Sequence, residues 1–128
     1  MIQHHLVLDT AALLALSGNR QVSALIHRAT LEPEVRLWVP VLSVLQADLE
    51  NPGIAEHIGQ LEVLHTIDLD YPATLAVAQL HRDGTPLGAA SAIHAANTLP
   101  LWDTDALVAT VAPDLYDGHG VRIFDLNR

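Results

Sequence analysis

The stretch His5-Leu6-Val7-Leu8-Asp9-Thr10, which runs on into Ala11-Ala12-Leu13-Leu14-Ala15-Leu16, decides the fold of this chain. Its first part is a short apolar run that ends at an acid, which is typical of a buried strand. Its second part is rich in alanine and leucine and ends at Ser17-Gly18-Asn19, so we expect a helix that stops there. The chain therefore opens with a buried strand that passes directly into a helix.

The same alternation continues to the end of the chain. We expect helices over 20–31, 41–50, 53–60, 72–82 and 87–97, and strands over 35–39, 61–67, 99–102 and 121–126. Alternating strands and helices favour a parallel sheet that is covered by helices on both faces. The prediction is one α/β domain over residues 1–128 with a central parallel sheet of about five strands.

Composition narrows the class of protein. Half of the 128 residues are apolar and 16% are charged, which leaves few polar side chains to cover the surface and predicts a homodimer. No apolar run approaches the roughly 18 residues of a membrane span, and the start lacks the pattern of a signal peptide. We therefore expect a cytoplasmic protein without membrane contact. The absence of cysteine excludes disulfides and thiolate chemistry.

The charge distribution bears on nucleic-acid binding. The net charge is −9, and the six basic residues are arginines scattered along the chain. Because affinity for phosphate backbones needs clustered basic residues, RNA binding would require a bound cation or a partner. The eight histidines include no pair at i and i+4, so their spacing does not indicate a zinc site.

Acids follow two of the predicted strands. Asp9 comes after the first strand, and Asp103 and Asp105 come after the predicted fourth strand. Ligand sites in open parallel sheets lie at the carboxyl ends of strands, and carboxylates there suit Mg²⁺ or Mn²⁺, which activates water. The alternative is that each acid is the N-cap of the helix that follows it. Both interpretations are open at this point.

Four segments of the sequence resemble, in order and spacing, the blocks of the PIN-domain family, especially its VapC-like toxins. They are LVLDTAALLAL, VPVLSVLQADLE, TPLGAASAIHAANTL and LWDTDA, and together they cover nearly the full length. The resemblance implies a three-layer α/β/α sandwich, a homodimer, and Mg²⁺- or Mn²⁺-dependent cleavage of RNA by three or four clustered acids. It also implies a small antitoxin as a partner, since many members have one.

The acids of the family map onto this chain unevenly. The first matches Asp9 and the fourth matches Asp105, with Asp103 at a position where the family usually has threonine or serine. The second falls on Gln46, which keeps an oxygen but loses the charge, and the third falls on Ala90, which has no ligand atom. By this resemblance Asp9 and Asp105 would hold the metal, and Asp9, Asp105 and Asp103 are the candidate catalytic residues.

Two neighbours are candidate substitutes for the missing acids. Glu50 lies four residues after Gln46, on nearly the same helix face, and His94 lies four residues after Ala90. With fewer acids, Mg²⁺ or Mn²⁺ would bind weakly or be absent, because its binding is mostly electrostatic.

We therefore expect a PIN-like protein with weak or lost nuclease activity that acts as an RNA- or protein-binding module. The alternative is an active VapC-like endoribonuclease that cleaves RNA with metal-activated water. A receiver-like domain is set aside because the chain contains no lysine.

Overall fold

The computed structural model describes residues 4–99 and 106–127. Strands and helices alternate along the chain, as the sequence predicts. The strands are β1 (His4–Leu8), β2 (Val35–Pro40), β3 (Leu64–Ile67), β4 (Ala106–Thr110) and β5 (Arg122–Asp125). The helices are α1 (Thr10–Leu14), α2 (Arg20–Leu31), α3 (Val41–Glu50), α4 (Ile54–Gly59), α5 (Tyr71–Arg82) and α6 (Leu87–Thr98), and a 3-10 turn covers Pro113–Tyr116.

The five strands form one sheet in the order β3-β2-β1-β4-β5, and every neighbouring pair is parallel. The central strand β1 places Val7 between Trp38 of β2 and Val108 of β4. The strand order reverses between β1 and β4, and a sheet of this kind has a crevice at the carboxyl ends of the strands where the order reverses. Asp9 follows β1 directly and so lies at this crevice.

Alternate residues of the central strands belong to two different cores. Leu6 and Leu8 pack with apolar residues of α1, α2, α3 and α4 on one face of the sheet. Val7 and Val108 pack with α6 on the other face, where Leu80 of α5 joins them. The predicted three-layer α/β/α sandwich with a parallel sheet of five strands is therefore confirmed.

Trp38 lies on the α6 face of the sheet as a half-buried aromatic residue. Its Nε1 donates a hydrogen bond of 2.9 Å to Nδ1 of His5, and the two rings stack with their centroids 6.0 Å apart. The ring of His65 is 5.4 Å away on the neighbouring strand. Trp38 therefore packs against the sheet and its neighbours.

The predicted fourth strand, 99–102, falls mostly outside the described residues, and the fourth strand of the sheet is a later segment. The strand lies at Ala106–Thr110, later in the chain than 99–102, and its first residue pairs with His5. Ala109 pairs with Leu8, so Thr110 rather than Asp103 or Asp105 is the residue that ends β4 beside Asp9. Short apolar runs carry no periodicity that separates strand from helix, and the alanines around Leu107 and Val108 favoured a helical turn. Trp102, Asp103 and Asp105 lie outside the described residues.

No helix in residues 4–99 and 106–127 has both the length and the apolar character needed to cross a membrane.

Candidate functional site

Asp9 is the N-cap of α1. Its Oδ1 accepts a hydrogen bond of 2.8 Å from the backbone N–H of Ala12, and its backbone is extended, as an N-cap requires. The side chain is only 1% exposed. The N-cap interpretation of Asp9 is thus confirmed, and the acid that the metal interpretation needs is buried.

The second carboxylate oxygen of Asp9 is also occupied. The phenol of Tyr116 donates a hydrogen bond of 2.5 Å to Oδ2, across 107 positions of sequence. Tyr116 ends the 3-10 turn after β4 and is 3% exposed. The Thr110 side chain, at the end of β4, also favours the charged form of Asp9. Both carboxylate oxygens therefore accept hydrogen bonds within the protein.

The protonation of this pair follows from its burial. Loss of solvent raises the pKa of Asp9, and the hydrogen bonds from Thr110, Tyr116 and Ala12 oppose that rise without cancelling it. The pKa of Tyr116 is also raised, first by burial and then by the nearby Asp9 charge. The phenol therefore keeps its proton and remains a donor to Asp9.

Polar contacts connect α1, α3 and α6 around Asp9. The Thr10 hydroxyl donates to the carbonyl of Ser43 at 3.0 Å, and the Ser43 hydroxyl donates to the carbonyl of Gly88 at 2.9 Å. The N–H of Gly88 donates to Oε1 of Gln46 at 2.5 Å. Because the N-cap of α6 is Pro86, which provides no side-chain hydrogen bond, Gln46 satisfies one of the free N–H groups at the start of that helix. Gln46 is thus a helix cap supplied by another helix.

Gly88 permits this close approach of α6. A Cβ atom there would overlap the Thr10 hydroxyl oxygen and would come within 2.7 Å of Oε1 of Gln46. No side chain fits between these atoms without moving them. Because position 88 has no side chain, α6 can pack closely against α1 and α3.

A cavity of about 180 Å³ opens beside these residues. Three of the polar residues predicted from sequence line it, namely Asp9, Gln46 and Glu50. Its remaining lining is mostly apolar, and consists of Thr10, Ala11, Leu14, Pro86, Ala89 and Leu115. The structure therefore brings Glu50 to the cavity that Asp9 lines, with Glu50 at its exposed side.

The other predicted site residues are not gathered there. Ala90 is fully buried in α6. His94 lines a different cavity, between α5, α6 and β3. Asp103 and Asp105 lie outside the described residues.

The described part of the chain contains no group of three or more histidine or acidic side chains arranged to hold a metal ion. Mg²⁺ and Mn²⁺ need carboxylate oxygens that are free to bind them. Asp9 would have to give up its hydrogen bond to Tyr116 before Oδ2 could serve. The donors present at this cavity in residues 4–99 and 106–127 therefore do not fit such an ion.

Sequence reasoning missed Tyr116 and Thr110. Nothing local marks Tyr116 as a partner of Asp9, because the two residues meet only through the pairing of β1 with β4 and the turn that follows β4. Thr110 would have been found from a correct placement of β4, since it occupies the same edge position after β4 as Asp9 does after β1.

Comparison with known proteins supports the fold. No protein-family model matches the chain, and a search of curated proteins also finds no match. Among solved structures, a chain from the crystal structure of DNA-bound VapBC from Salmonella typhimurium matches with a TM-score of 0.60 and 19% sequence identity. The match covers 98% of this chain and 99% of that chain. The chain thus has a PIN-like fold, as the resemblance of its four segments implies.

Proposed function

We propose that this chain is a PIN-fold protein whose nuclease activity is weak or lost and that acts by binding another protein. The observation that carries the proposal is the state of Asp9, which is buried and has both carboxylate oxygens engaged by Ala12 and Tyr116. An acid that binds a catalytic metal ion must offer a free oxygen to it, and the ion then activates water. In this chain Asp9 instead stabilises the start of α1 and the turn after β4.

The structural roles of Gln46 and Ala90 support the same proposal. Gln46 caps α6 through its amide oxygen, which needs an acceptor but no charge. Ala90 is packed in the core between α6 and its neighbours. Both positions therefore have structural roles that replace ligand roles.

Charge favours a protein partner over RNA. The chain has a net charge of −9 and contains no lysine. Arg28 is paired with Glu32 at 2.7 Å on the same helix, which further reduces the positive charge available to phosphates. A partner with basic groups suits this surface, because opposite charges steer association.

The partner surface we propose is the outer face of α3. Leu45 and Leu49 are 54% and 74% exposed, four residues apart on this helix. Leu115, 40% exposed, lies at the cavity beside Gln46 and Glu50 and extends the apolar area. Large exposed apolar side chains next to acidic ones fit a small basic protein that inserts apolar anchors. The solved neighbour is part of an assembly, VapBC, and an antitoxin-like partner is the corresponding proposal here.

A metal-dependent ribonuclease is the second candidate. The observation that favours it is that Glu50 lines the same cavity as Asp9. Mg²⁺ often takes only one or two carboxylates and completes its shell with water. If Tyr116 released Asp9, this pair of acids would be the minimum set for one ion.

Titration with Mn²⁺ separates the two candidates. Calorimetry on the wild type and on Asp9→Asn should give no difference if Asp9 is a structural cap. Incubation with a mixed RNA pool and Mn²⁺ should give equal, background cleavage by wild type, Asp9→Asn and Asp105→Asn. Micromolar binding or cleavage that the Asp9→Asn variant loses would instead establish the nuclease.

The gene beside this one is the first source of a partner to test. Co-expression of its product should give a complex with the wild type that survives gel filtration. The pair Leu45→Asp and Leu49→Asp should abolish that complex and leave the circular dichroism spectrum unchanged, because both side chains are exposed. Leu31→Asp, at an exposed residue on α2, is the matched control and should retain the complex.

A further inference from the structure

A second cavity lies away from Asp9, between α5, α6 and the end of β3. Its volume is about 300 Å³, which is the space of about ten water molecules. Apolar walls come from residues such as Pro40, Ile67, Leu69 and Pro72. The polar groups at this cavity have no role in the function proposed above.

Ser91 places an unpartnered hydroxyl at this cavity. The residue is only 5% exposed, and its surface belongs to the cavity lining. Its hydroxyl makes no hydrogen bond with any residue in 4–99 or 106–127, and it is not sealed from solvent. A hydroxyl held in this way costs free energy unless a ligand or water satisfies it. This group is the strongest indication that the cavity takes a ligand.

His94 lies on the same face of α6 as Ser91, three residues later. Its ring is half-buried, lines the cavity and accepts no hydrogen bond from the described chain. Thr98, one further turn along, is already satisfied because its hydroxyl donates to the backbone carbonyl of His94 at 2.9 Å. Ser91 and His94 are therefore the two cavity-lining side chains of α6 whose polar atoms make no hydrogen bond within the described chain.

The opposite side of the cavity is acidic. Asp70 uses Oδ1 to cap α5 through the N–H of Ala73 at 2.9 Å. Asp68 lines the cavity, is exposed, and makes no hydrogen bond or ion pair with the rest of the described chain. The lining includes no arginine. The cavity therefore has negative charge at its rim, uncharged acceptors on α6 and apolar walls between them.

We propose that this cavity binds a primary alkylammonium group. An ammonium has three donors and no acceptor, which suits Asp68, Ser91 and His94 as its partners. Its alkyl chain would cover the apolar walls formed by Pro40, Ile67 and Pro72. The site is separate from the Asp9 cavity and from the α3 surface. A negative result here would therefore leave the function proposed above unaffected.

Two probe molecules present the ammonium group on different alkyl chains. n-Butylammonium represents a small amine, and Nα-acetyl-lysine methylamide represents a lysine side chain of another protein. Titration of the full ¹⁵N-labelled chain should shift the amide signals of residues 68, 91 and 94, with a Kd on the order of 1 mM. The tighter of the two probes identifies the source of the ammonium.

Variants and an uncharged probe test the assignment. Asp68→Asn and Ser91→Ala should each weaken binding about tenfold or more, the loss expected for one hydrogen bond to a charged group. Asp117→Asn, at an exposed acid outside the cavity, is the matched control and should bind as the wild type does. n-Butanol should bind much more weakly than n-butylammonium.

Three results would overturn the proposal. The first is an absence of shifts at residues 68, 91 and 94 up to about 50 mM probe, well above the expected Kd. The second is equal weakening by Asp68→Asn and Asp117→Asn, which would mean diffuse attraction to an acidic surface. The third is equal binding of n-butanol and n-butylammonium, which would remove the role of charge.

Discussion

At the scale of single residues, the central feature is the buried carboxylate of Asp9, each oxygen of which accepts a hydrogen bond. Asp9 accepts from Ala12 and Tyr116, and its exposure is 1%. Burial of a charge is costly, and these two hydrogen bonds reduce that cost. The raised pKa of Asp9 shows that the cost is not fully removed.

The raised pKa predicts a pH dependence of stability. Because the folded state favours the protonated form, the contribution of Asp9 is complete below its ordinary pKa of 3.8 and is lost as pH rises through the folded pKa. The free energy of unfolding of the wild type relative to Asp9→Asn should therefore fall as pH rises from about 4. Urea unfolding of both proteins at a series of pH values measures this. Parallel pH profiles would contradict it.

Tyr116→Phe removes the donor to Oδ2 of Asp9 and leaves the ring in the core. We expect a loss of about 1.5–3 kcal/mol in the free energy of unfolding, the range for hydrogen bonds to charged groups. Tyr71→Phe is the matched control, because Tyr71 is 74% exposed and its hydroxyl should matter little. The measurement is urea denaturation. Equal effects of the two substitutions would mean that the Tyr116–Asp9 hydrogen bond does not stabilise the fold.

At the scale of elements, the start of α6 is the point where three helices meet. Gly88 lies within contact of Thr10 and Gln46, and its backbone bonds to both Ser43 and Gln46. α6 is buried along most of its length, which fits its alanine-rich sequence. Small residues let this helix lie close to the sheet and to α3.

Gly88→Ala should be strongly destabilising for this reason. The added methyl group overlaps the Thr10 hydroxyl, and relief requires α6 to move. Overpacking of this kind costs about 1–3 kcal/mol. Gly59→Ala is the matched control, since no atom lies within 4 Å of its added methyl group. Thermal unfolding should show a lower Tm for Gly88→Ala alone, and an unchanged Tm would place the close approach in doubt.

Gln46 offers a test of capping against metal binding. Gln46→Ala removes the acceptor for the Gly88 N–H and should cost about 1–2 kcal/mol. Gln46→Glu keeps the acceptor and adds a negative charge at a helix N-terminus, where it is tolerated or favourable. Stability should therefore be lost in the alanine variant and kept in the glutamate variant. A glutamate variant as unstable as the alanine variant would contradict the capping role.

At the scale of the whole molecule, apolar surface remains to be covered. Tyr71 and Leu75 are 74% and 55% exposed and are four residues apart on α5. These residues make α5 one candidate dimer surface, and α2, where Leu31 is 67% exposed, is the other. The α3 face proposed for a partner is separate from the α5 surface.

We predict a homodimer through α5. Sedimentation should give twice the 13.8 kDa chain mass for the wild type. Tyr71→Glu with Leu75→Glu should give a monomer, because two charges in an apolar contact cannot be paired. Leu31→Glu tests the other suggested surface and should leave the dimer intact. If only the Leu31 variant lost the dimer, the interface would lie on α2 instead of α5. A monomeric wild type would contradict the prediction of a homodimer.

Local features of the sequence were enough to predict most of the fold. The junction of β1 and α1, the caps, the breakers and the order of elements depend on residues close together in the chain, so periodicity and turn residues reveal them. The resemblance of four segments extended this to the three-layer architecture. The strand at Ala106–Thr110 was missed because a short apolar run with alanines carries no decisive period.

The state of the site depended on contacts that no local pattern records. Tyr116 reaches Asp9 across 107 positions, and Gln46 reaches Gly88 across 42. These pairs form only when β1 and β4 align in register and α6 packs against α3. The resemblance of the four segments predicts which acids are present or replaced, and that assignment stays a prediction. Only the tertiary structure showed that the Asp9 carboxylate is buried and hydrogen-bonded, because both properties arise when the chain packs.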